Sequence, residues 1–309
     1  MKILVTGGAG FIASHISDAY IAAGHEVVIV DDLSSGKRAN LPAAAKFYHA
    51  DIRTPEAREI IRNERPQVLS HHAAQMDVRR SVADPAFDAT VNVLGMINML
   101  EGAREVGVEK VLFASSGGAT YGEQSEFPAP ETHGHEPLSP YGITKATGEH
   151  YLFFYHAIYG MPYVALRYAN VYGPRQDPHG EAGVVAIFTE RLLANQAPTI
   201  NGDGKQSRDY VFVGDVVRAN LAALEKPFVG SVNIGTGVET DVTMLYAHLR
   251  VLTGSPHPAQ HGPAKAGEQR RSVIAIQRAA EVLGWKPEIS LEEGLRRTVE
   301  FFRARLAAS

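Results

Sequence analysis

The sequence predicts an α/β chain: a doubly wound parallel sheet with a smaller C-terminal α+β unit. Three observations carry that prediction. Six short apolar runs alternate with helical stretches between residues 2 and 167, and strands that alternate with helices pair in parallel through crossovers. The alternation loosens after Asn170, where Gly173-Pro174 breaks the chain. With 309 residues, the protein can bury a sizeable core as one large domain or two. The expected division is 1–169 for the sheet unit, with a return near 210–237, and 170–309 for most of the second unit.

The first strand is Met1 to Thr6, followed by Gly7-Gly8-Ala9-Gly10-Phe11-Ile12-Ala13 and a helical pattern from Ala13 to Ala23. Val27-Val28-Ile29-Val30 is the second strand and ends in Asp31-Asp32. A polar, turn-rich stretch from Leu33 to Pro42 precedes a third strand, Phe47 to Ala50, which ends in Asp51-Ile52. Thr54-Pro55 then opens a helix, for which Asp51 is a candidate N-cap. Val68 to His71 is the fourth strand, and the small residues Ala73-Ala74 after it let a flat ligand lie on backbone. Pro85 to Val106 has helical periodicity through Val91, Leu94, Ile97 and Leu100, with Asn92 inside it. A buried asparagine needs a partner, so Asn92 is expected to bond to a neighbouring strand or loop.

Val111 to Ser116 is the fifth strand and runs into a long, proline-rich loop, 117–140. Pro140 opens a helix from Tyr141 to about Tyr159, as proline at a first turn should. Tyr163 to Arg167 is the sixth strand. Beyond it lie a helix over 182–194, a short strand at Thr199-Ile200 and the strand Tyr210 to Val213, which leads into a helix to about Leu224. A strand at Val232 to Ile234, a helix from Ile276 to Leu283 stopped by Gly284, and a closing helix from Leu291 to Leu306 complete the chain.

Bulk properties exclude several classes. The net charge is −4, and the basic residues are scattered, which argues against a nucleic-acid or anionic-membrane surface. There is no cysteine, so disulfides and thiolate chemistry are excluded. No apolar run is long enough to span a bilayer, and a strand at residue 2 leaves no room for a signal peptide. A cytoplasmic protein is expected by elimination. Adjacent His71 and His72 point to opposite faces of a strand, and His133 and His135 fall in a loop, so no metal site is expected.

The first thirty-two residues carry the strongest chemical signal. A pyrophosphate rests best on the unpaired backbone N–H groups of a helix N-terminus. Glycine is needed where a Cβ would hold the phosphate away. Two frames fit, Gly8-x-Gly10-x-x-Ala13 and Gly7-x-x-Gly10-x-x-Ala13, and an acid follows about twenty residues on. Asp31 can accept from both ribose hydroxyls and would repel a ribose phosphate, which favours NAD over NADP. Asp51, at the carboxyl end of the third strand, is a candidate for the adenine amino group. Residues 1–169 therefore read as an NAD-binding Rossmann unit and 170–309 as mainly substrate-binding.

Ser139-Pro140-Tyr141-Gly142-Ile143-Thr144-Lys145 is the second decisive stretch. Tyr141 and Lys145, four apart, share one helix face. A phenol titrates near 10 in water. An adjacent ammonium and a nicotinamide's positive charge are expected to lower it, so that Tyr141 can take a proton from an alcohol near neutral pH.

Together, Thr6-Gly7-Gly8-Ala9-Gly10-Phe11-Ile12, Asp31, the Tyr141/Lys145 pair, Leu166 to Pro174 (LRYANVYGP) and Arg208-Asp209-Tyr210-Val211 resemble an extended short-chain dehydrogenase/reductase. The similarity is greatest to the NAD-dependent epimerase/dehydratase family, and within it to the UDP-glucose 4-epimerases. It implies that Gly7, Gly10, Phe11 and Ile12 hold the pyrophosphate, Asp31 the ribose, and Asp51 and Ile52 the adenine. It places Ala73, Ala74 and Asn92 along the cofactor and Tyr168 and Val171 beside the nicotinamide. Tyr141 and Lys145 are then catalytic and touch NAD, while Asn170 and Arg208 meet the phosphates of a UDP-sugar.

Three positions depart from the family pattern. The usual hydroxyl four residues before Tyr121 is replaced by Gly117, leaving Ser116 as the candidate for the reacting oxygen and Ser115 behind it. A second diphosphate-binding arginine is expected just before Gly267-Glu268, where Lys265 stands, with Arg270 shortly after. Asn201 occupies a position where a base-stacking aromatic is common. The implied reaction inverts the sugar's fourth carbon through a transient 4-ketone. A UDP-glucuronate 4-epimerase or decarboxylase, a reductase and a nucleotide-sensing regulator are the alternatives. Gly117-Gly118 disfavours a 4,6-dehydratase, which needs an acid–base pair there. The helices over 85–106 and 141–159 could pair two subunits into a four-helix bundle through Tyr151, Phe154 and Met99, giving a homodimer.

Overall fold

A computed structural model describes residues 1–179, 183–264 and 269–308. In its first half, β1 (Lys2–Thr6), α1 (Phe11–Ala22), β2 (Glu26–Asp31), β3 (Lys46–His49), α2 (Pro55–Glu64) and β4 (Val68–His71) follow one another. Next come α3 (Val78–Ala83), α4 (Pro85–Ala89), a π turn (Thr90–Gly95), α5 (Met96–Val106), β5 (Lys110–Ser116) and α6 (Gly117–Thr120). The helix α7 (Pro140–Tyr159), β6 (Tyr163–Tyr168), β7 (Asn170–Tyr172), α8 (Val184–Leu193), β8 (Thr199–Asn201) and β9 (Ser207–Phe212) lead into α9 (Val213–Glu225) and β10 (Gly230–Ile234). The chain closes with β11 (Glu239–Asp241), α10 (Val242–Thr253), β12 (Gln260–Gly262), β13 (Arg271–Ser272), α11 (Gln277–Leu283) and α12 (Leu291–Ala308).

Seven parallel strands form the central sheet in the order β10-β6-β5-β4-β1-β2-β3. Its strands are apolar runs because both faces are covered. One face packs Ile16 and Tyr20 of α1, Val216 and Ala219 of α9 and Leu283 of α11. The other packs Ile61 of α2, Met99 and Leu100 of α5 and Leu152 and Tyr155 of α7. Strand order reverses at β1, between β2 on one side and β4 on the other. In such sheets that is where a crevice opens at the carboxyl ends.

The seventh strand comes from beyond the loosened region: α9 lies against α1, and β10 pairs with β6. The remaining strands form two small sheets, one of β7, β9, β11 and β13 and one of β8 and β12. The helix α10 lacked a place in the sequence reading, although Asp241 caps its start and Gly254 ends it in a left-handed conformation.

The single α-helix expected over 85–106 is instead α4, the π turn and α5. Its phase slips at the turn, so Leu94, expected on the buried stripe, is 59% exposed. The slip brings Gly95 against the segment after β3, where a Cβ would lie 2.8 Å from Ile52.

Candidate active site

The glycine turn is built for close approach. Gly7 has φ +71°, and a Cβ there would lie 2.8 Å from the Ala73 backbone nitrogen. Gly10 starts α1 with no side-chain cap, and the first turn carries no acid. Its unpaired amides can therefore receive an anion. Phe11 and Ile12 are partly buried in that turn. Asp31 is buried and takes hydrogen bonds from Ala9 N (2.9 Å) and Leu33 N (2.8 Å). Burial pushes its carboxyl above the ordinary range, against the pull of those two donors. A carboxylate has four acceptor positions, so two remain for a diol. This cradle fits a dinucleotide.

One expectation at the adenine end needs correction. Thr54, not Asp51, caps α2, its Oγ1 accepting from Ala57 N. Asp51 instead forms an ion pair with Arg53, whose guanidinium holds the carboxyl below its usual range, while Ile52 is buried. Asn92 is also buried and braces the chain after β4. Its Oδ1 accepts from Gln75 N (2.8 Å) and its Nδ2 donates to Gln75 O (2.9 Å). The side chain thus fixes the loop carrying Ala73 and Ala74, the bond to a neighbouring loop that a buried asparagine here was expected to make. Ala73 N donates to Thr6 Oγ1 (3.1 Å), which ties that loop to β1.

Ser139 caps α7 by accepting from Gly142 N (3.1 Å), and Pro140 fills the first turn. Lys145, one turn on, is buried. Its Nζ donates to Ala114 O at 2.8 Å and lies 4.9 Å from the Phe113 ring centre and 5.7 Å from that of Tyr141. Burial pulls Lys145 down to about 8, with Asp88 opposing. Burial also pushes the Tyr141 phenol above its ordinary value, and Asp88 adds to the rise. The expected lowering of the phenol by Lys145 is therefore overturned for the chain's own groups. Removing phenolate from water and the nearby Asp88 carboxylate both disfavour it.

His71 and His72 do point to opposite faces. His71 stacks on Phe113 and meets Thr6 Oγ1 at 2.9 Å; His72 stacks on Tyr168. Burial holds them down to about 3 and about 4, so both rings are neutral. Tyr168 does not offer its hydroxyl to the crevice. It is buried among the residues packed by α1 and α9 and accepts from Asn220 Nδ2 at 2.8 Å. Val171, on β7, is partly buried and accepts at its carbonyl from Gln176 Nε2.

The two serines ending β5 diverge. Ser115 is buried and donates to Glu149, a carboxylate also paired with Arg167. Ser116 accepts from Ala119 N at 3.2 Å, capping α6, with its proton left to donate. At Gly118 a Cβ would lie 3.6 Å from Ser272 Oγ and 3.8 Å from Asn170 Oδ1, so this turn, β7 and β13 share one wall. Arg208, on β9, pairs in register with Thr240 and Ser272. Arg270 grips Asp203 through two hydrogen bonds of 2.9 and 2.8 Å. Lys265 and the Gly267-Glu268 pair lie outside the described residues, and Asn201, on β8, carries no ring. Sequence reasoning missed Asp88 and Thr144; an acid four residues before Asn92 was the available signal.

The model of the NAD dependent epimerase/dehydratase family matches residues 3–235. The chain is 48% identical to the UDP-glucose 4-epimerase of Mycolicibacterium smegmatis over 309 residues, covering 98% of this chain and 99% of that one. A crystal structure of the Thermotoga maritima UDP-glucose 4-epimerase with UDP-glucose superposes with a TM-score of 0.97 at 51% identity, covering 99% and 100% of the two chains. The Thermus thermophilus UDP-glucose 4-epimerase in complex with NAD gives 0.93 at 45%, covering 98% and 99%. With a glycine turn on an uncapped helix, a buried acid ending β2 and a tyrosine–lysine pair on α7, in a chain matched along nearly its whole length, this protein belongs to the NAD-dependent epimerase/dehydratase family.

Proposed function

We infer that this protein is an isomerase that interconverts UDP-glucose and UDP-galactose at the fourth carbon, with NAD as its cofactor. The observation that carries the reading is the tyrosine–lysine pair on α7, with Lys145 Nζ bonded to Ala114 O near the carboxyl end of β5, in a sheet whose first helix α1 opens with an uncapped turn. Gly7, Gly10, Phe11 and Ile12 would hold the pyrophosphate, Asp31 the ribose, and the Asp51-Ile52 end the adenine. When bound there, NAD would supply the hydride acceptor and donor for the sugar's fourth carbon and a positive charge that favours phenolate.

The chain's residues handle the proton and the orientation. Tyr141 takes the proton of the 4-hydroxyl and gives it back after the 4-keto-sugar has turned over. Ser116 donates to the reacting oxygen. Asn170 and Arg208 would hold the diphosphate, and Lys265 and Arg270 are the further basic candidates for it. Gly117 and Gly118 offer no acid or base at the fifth and sixth carbons, so water is not eliminated.

The test is turnover of UDP-galactose by the purified protein without added cofactor, compared with Tyr141→Phe. The variant is expected to lose roughly 10²- to 10⁴-fold in kcat with its melting temperature unchanged. Equal turnover by the two proteins would overturn the reading, as would a requirement for reduced nicotinamide.

We also place the protein in the cytoplasm, where both NAD and nucleotide-sugars are solutes. No described helix is long and apolar enough to cross a membrane. A homodimer completes the proposal. Phe154 and Ile158 of α7 are exposed, and Leu94 is exposed on the adjoining π turn. Of the residues expected to pair subunits, Met99 is corrected: it is fully buried in the core. Tyr151 is partly buried against the same core.

A further inference from the structure

Close to the reacting pair lies a carboxylate that the mechanism above does not use. Asp88, on α4, has no exposed surface. Its Oδ1 accepts from Gln75 Nε2 (2.9 Å) and Asn92 Nδ2 (3.1 Å), and its Oδ2 from Thr144 Oγ1 (3.0 Å). Two side-chain amides donate to Oδ1 and the Thr144 hydroxyl lies at Oδ2, an arrangement that suits an accepting carboxylate. Every donor is neutral, and among the described residues no cationic side chain comes within ion-pair distance. A buried anion held only by neutral donors is costly unless a charge nearby compensates.

That charge is one residue beyond Thr144. Lys145 is also buried, and Asp88 acts on it through space. The titratable groups facing Lys145 are Tyr141 on its own helix, Asp88 on α4, and His71 and His72 on β4. The imidazoles are neutral, which leaves Asp88 as the anion of the group. The same carboxylate ties together three elements: the loop of Ala73 and Ala74 through Gln75, the π turn through Asn92, and α7 through Thr144.

We propose that Asp88 is a positioning residue for epimerisation, a buried counter-charge to Lys145 that also locks the cofactor-side loop to the catalytic helix. The proposal rests on the reading of Tyr141 and Lys145 as the reacting pair. Charge and geometry can be separated. In Asp88→Asn the amide oxygen can still accept from Gln75 and Asn92. Its nitrogen can donate to Thr144 Oγ1, whose proton turns to Tyr141 O, 3.0 Å away. Thr144→Val keeps the charge and removes one bond.

The experiment records kcat and KM for UDP-galactose across pH, with the NAD retained by each purified protein. Asp88→Asn is expected to lower kcat about tenfold, leave KM within about twofold, and move the alkaline limb of kcat about one pH unit lower. Retained NAD stays at the wild-type level. Thr144→Val is expected to keep the wild-type limb. A wild-type limb in Asp88→Asn, or an equal displacement in Thr144→Val, overturns the proposal. Should Asp88→Asn not fold, Asp88→Glu carries the test: its charge predicts a wild-type limb and its longer chain a lower kcat. A displaced limb or an unchanged kcat in that variant is then the overturning result. If Tyr141→Phe were fully active, the functional reading itself would fall. Wild-type behaviour of Asp88→Asn in an enzyme that Tyr141→Phe inactivates removes only Asp88's role.

Discussion

A single backbone angle sets the approach of the cofactor. Gly7, at φ +71°, is in the left-handed region that costs an L-residue about 1–2 kcal/mol, and its missing Cβ faces backbone that cannot swing aside. Gly7→Ala is therefore expected to lose about 2–3 kcal/mol of stability and to release NAD. Urea unfolding and chromatography of the nucleotide freed on denaturation check both, and an alanine variant that melts normally with full NAD would refute it. This glycine was legible in the sequence because its reason is local, as is that of the Tyr141/Lys145 spacing on one helix. Asp88 was not legible, whereas the bond of Asn92 to a neighbouring loop was expected. Asp88 bonds across 13 residues to Gln75 and 56 to Thr144, and Asn92 across 17 to Gln75. Only the spacing of Asp88 and Asn92, four apart, is local; the bonds to Gln75 and Thr144 are not. The phenol's rise was missed for the same reason: burial is a property of the assembled fold.

Elements are held in place by close contacts and by shared charges. Glycine inside a helix normally costs about 1 kcal/mol relative to alanine, so Gly142→Ala in α7 would ordinarily stabilise. Here a Cβ would come 2.4 Å from Ala119 O, a backbone atom of α6. The expected outcome is the opposite sign: a lower melting temperature, and a kcat reduced more than tenfold because Tyr141 is displaced. A raised melting temperature would contradict it. Glu64, at the end of α2, gathers Lys2 of β1 with Lys46 and Tyr48 of β3. Burial alone would raise its carboxyl, but hydrogen bonds from Lys46, Tyr48 and Lys2 hold it down to about 2. A depressed acid stabilises the fold above its ordinary range and loses that contribution as pH falls toward its folded value. Glu64→Gln is therefore expected to cost about 1–2 kcal/mol at neutral pH, discounted for the exposed lysines. The two unfolding curves should converge between pH 4.5 and 2; a constant gap would refute the assignment. The broken helix over 85–106 lies at this scale too. A π turn leaves the average apolar period almost intact, so Leu94 read as buried.

For the molecule as a whole, the sheet was legible because both-face burial makes its strands apolar runs. The position of β10 beside β6 depends on α9 finding α1, a contact between residues some two hundred apart. A return near 210–237 was expected from the sequence, but the strand's neighbour was not. Covering one face with α1, α9 and α11 and the other with α2, α5 and α7 leaves much of the outward side of α7 exposed among the described residues. Phe153, Phe154, Ile158 and Tyr159 are exposed there, whereas Leu152 and Tyr155 on the same helix are buried. Burying a large apolar side chain is worth about 1.5–3 kcal/mol, and a two-fold axis uses each such residue twice. Light scattering is thus expected to give about twice the mass of one chain. The double variant Phe154→Glu, Ile158→Glu should give a single chain's mass. Because the inward side of α7 is untouched, that monomer should keep its NAD and its melting transition. A wild-type protein that runs as a monomer, or a double variant that remains a dimer, would place the subunit contact elsewhere.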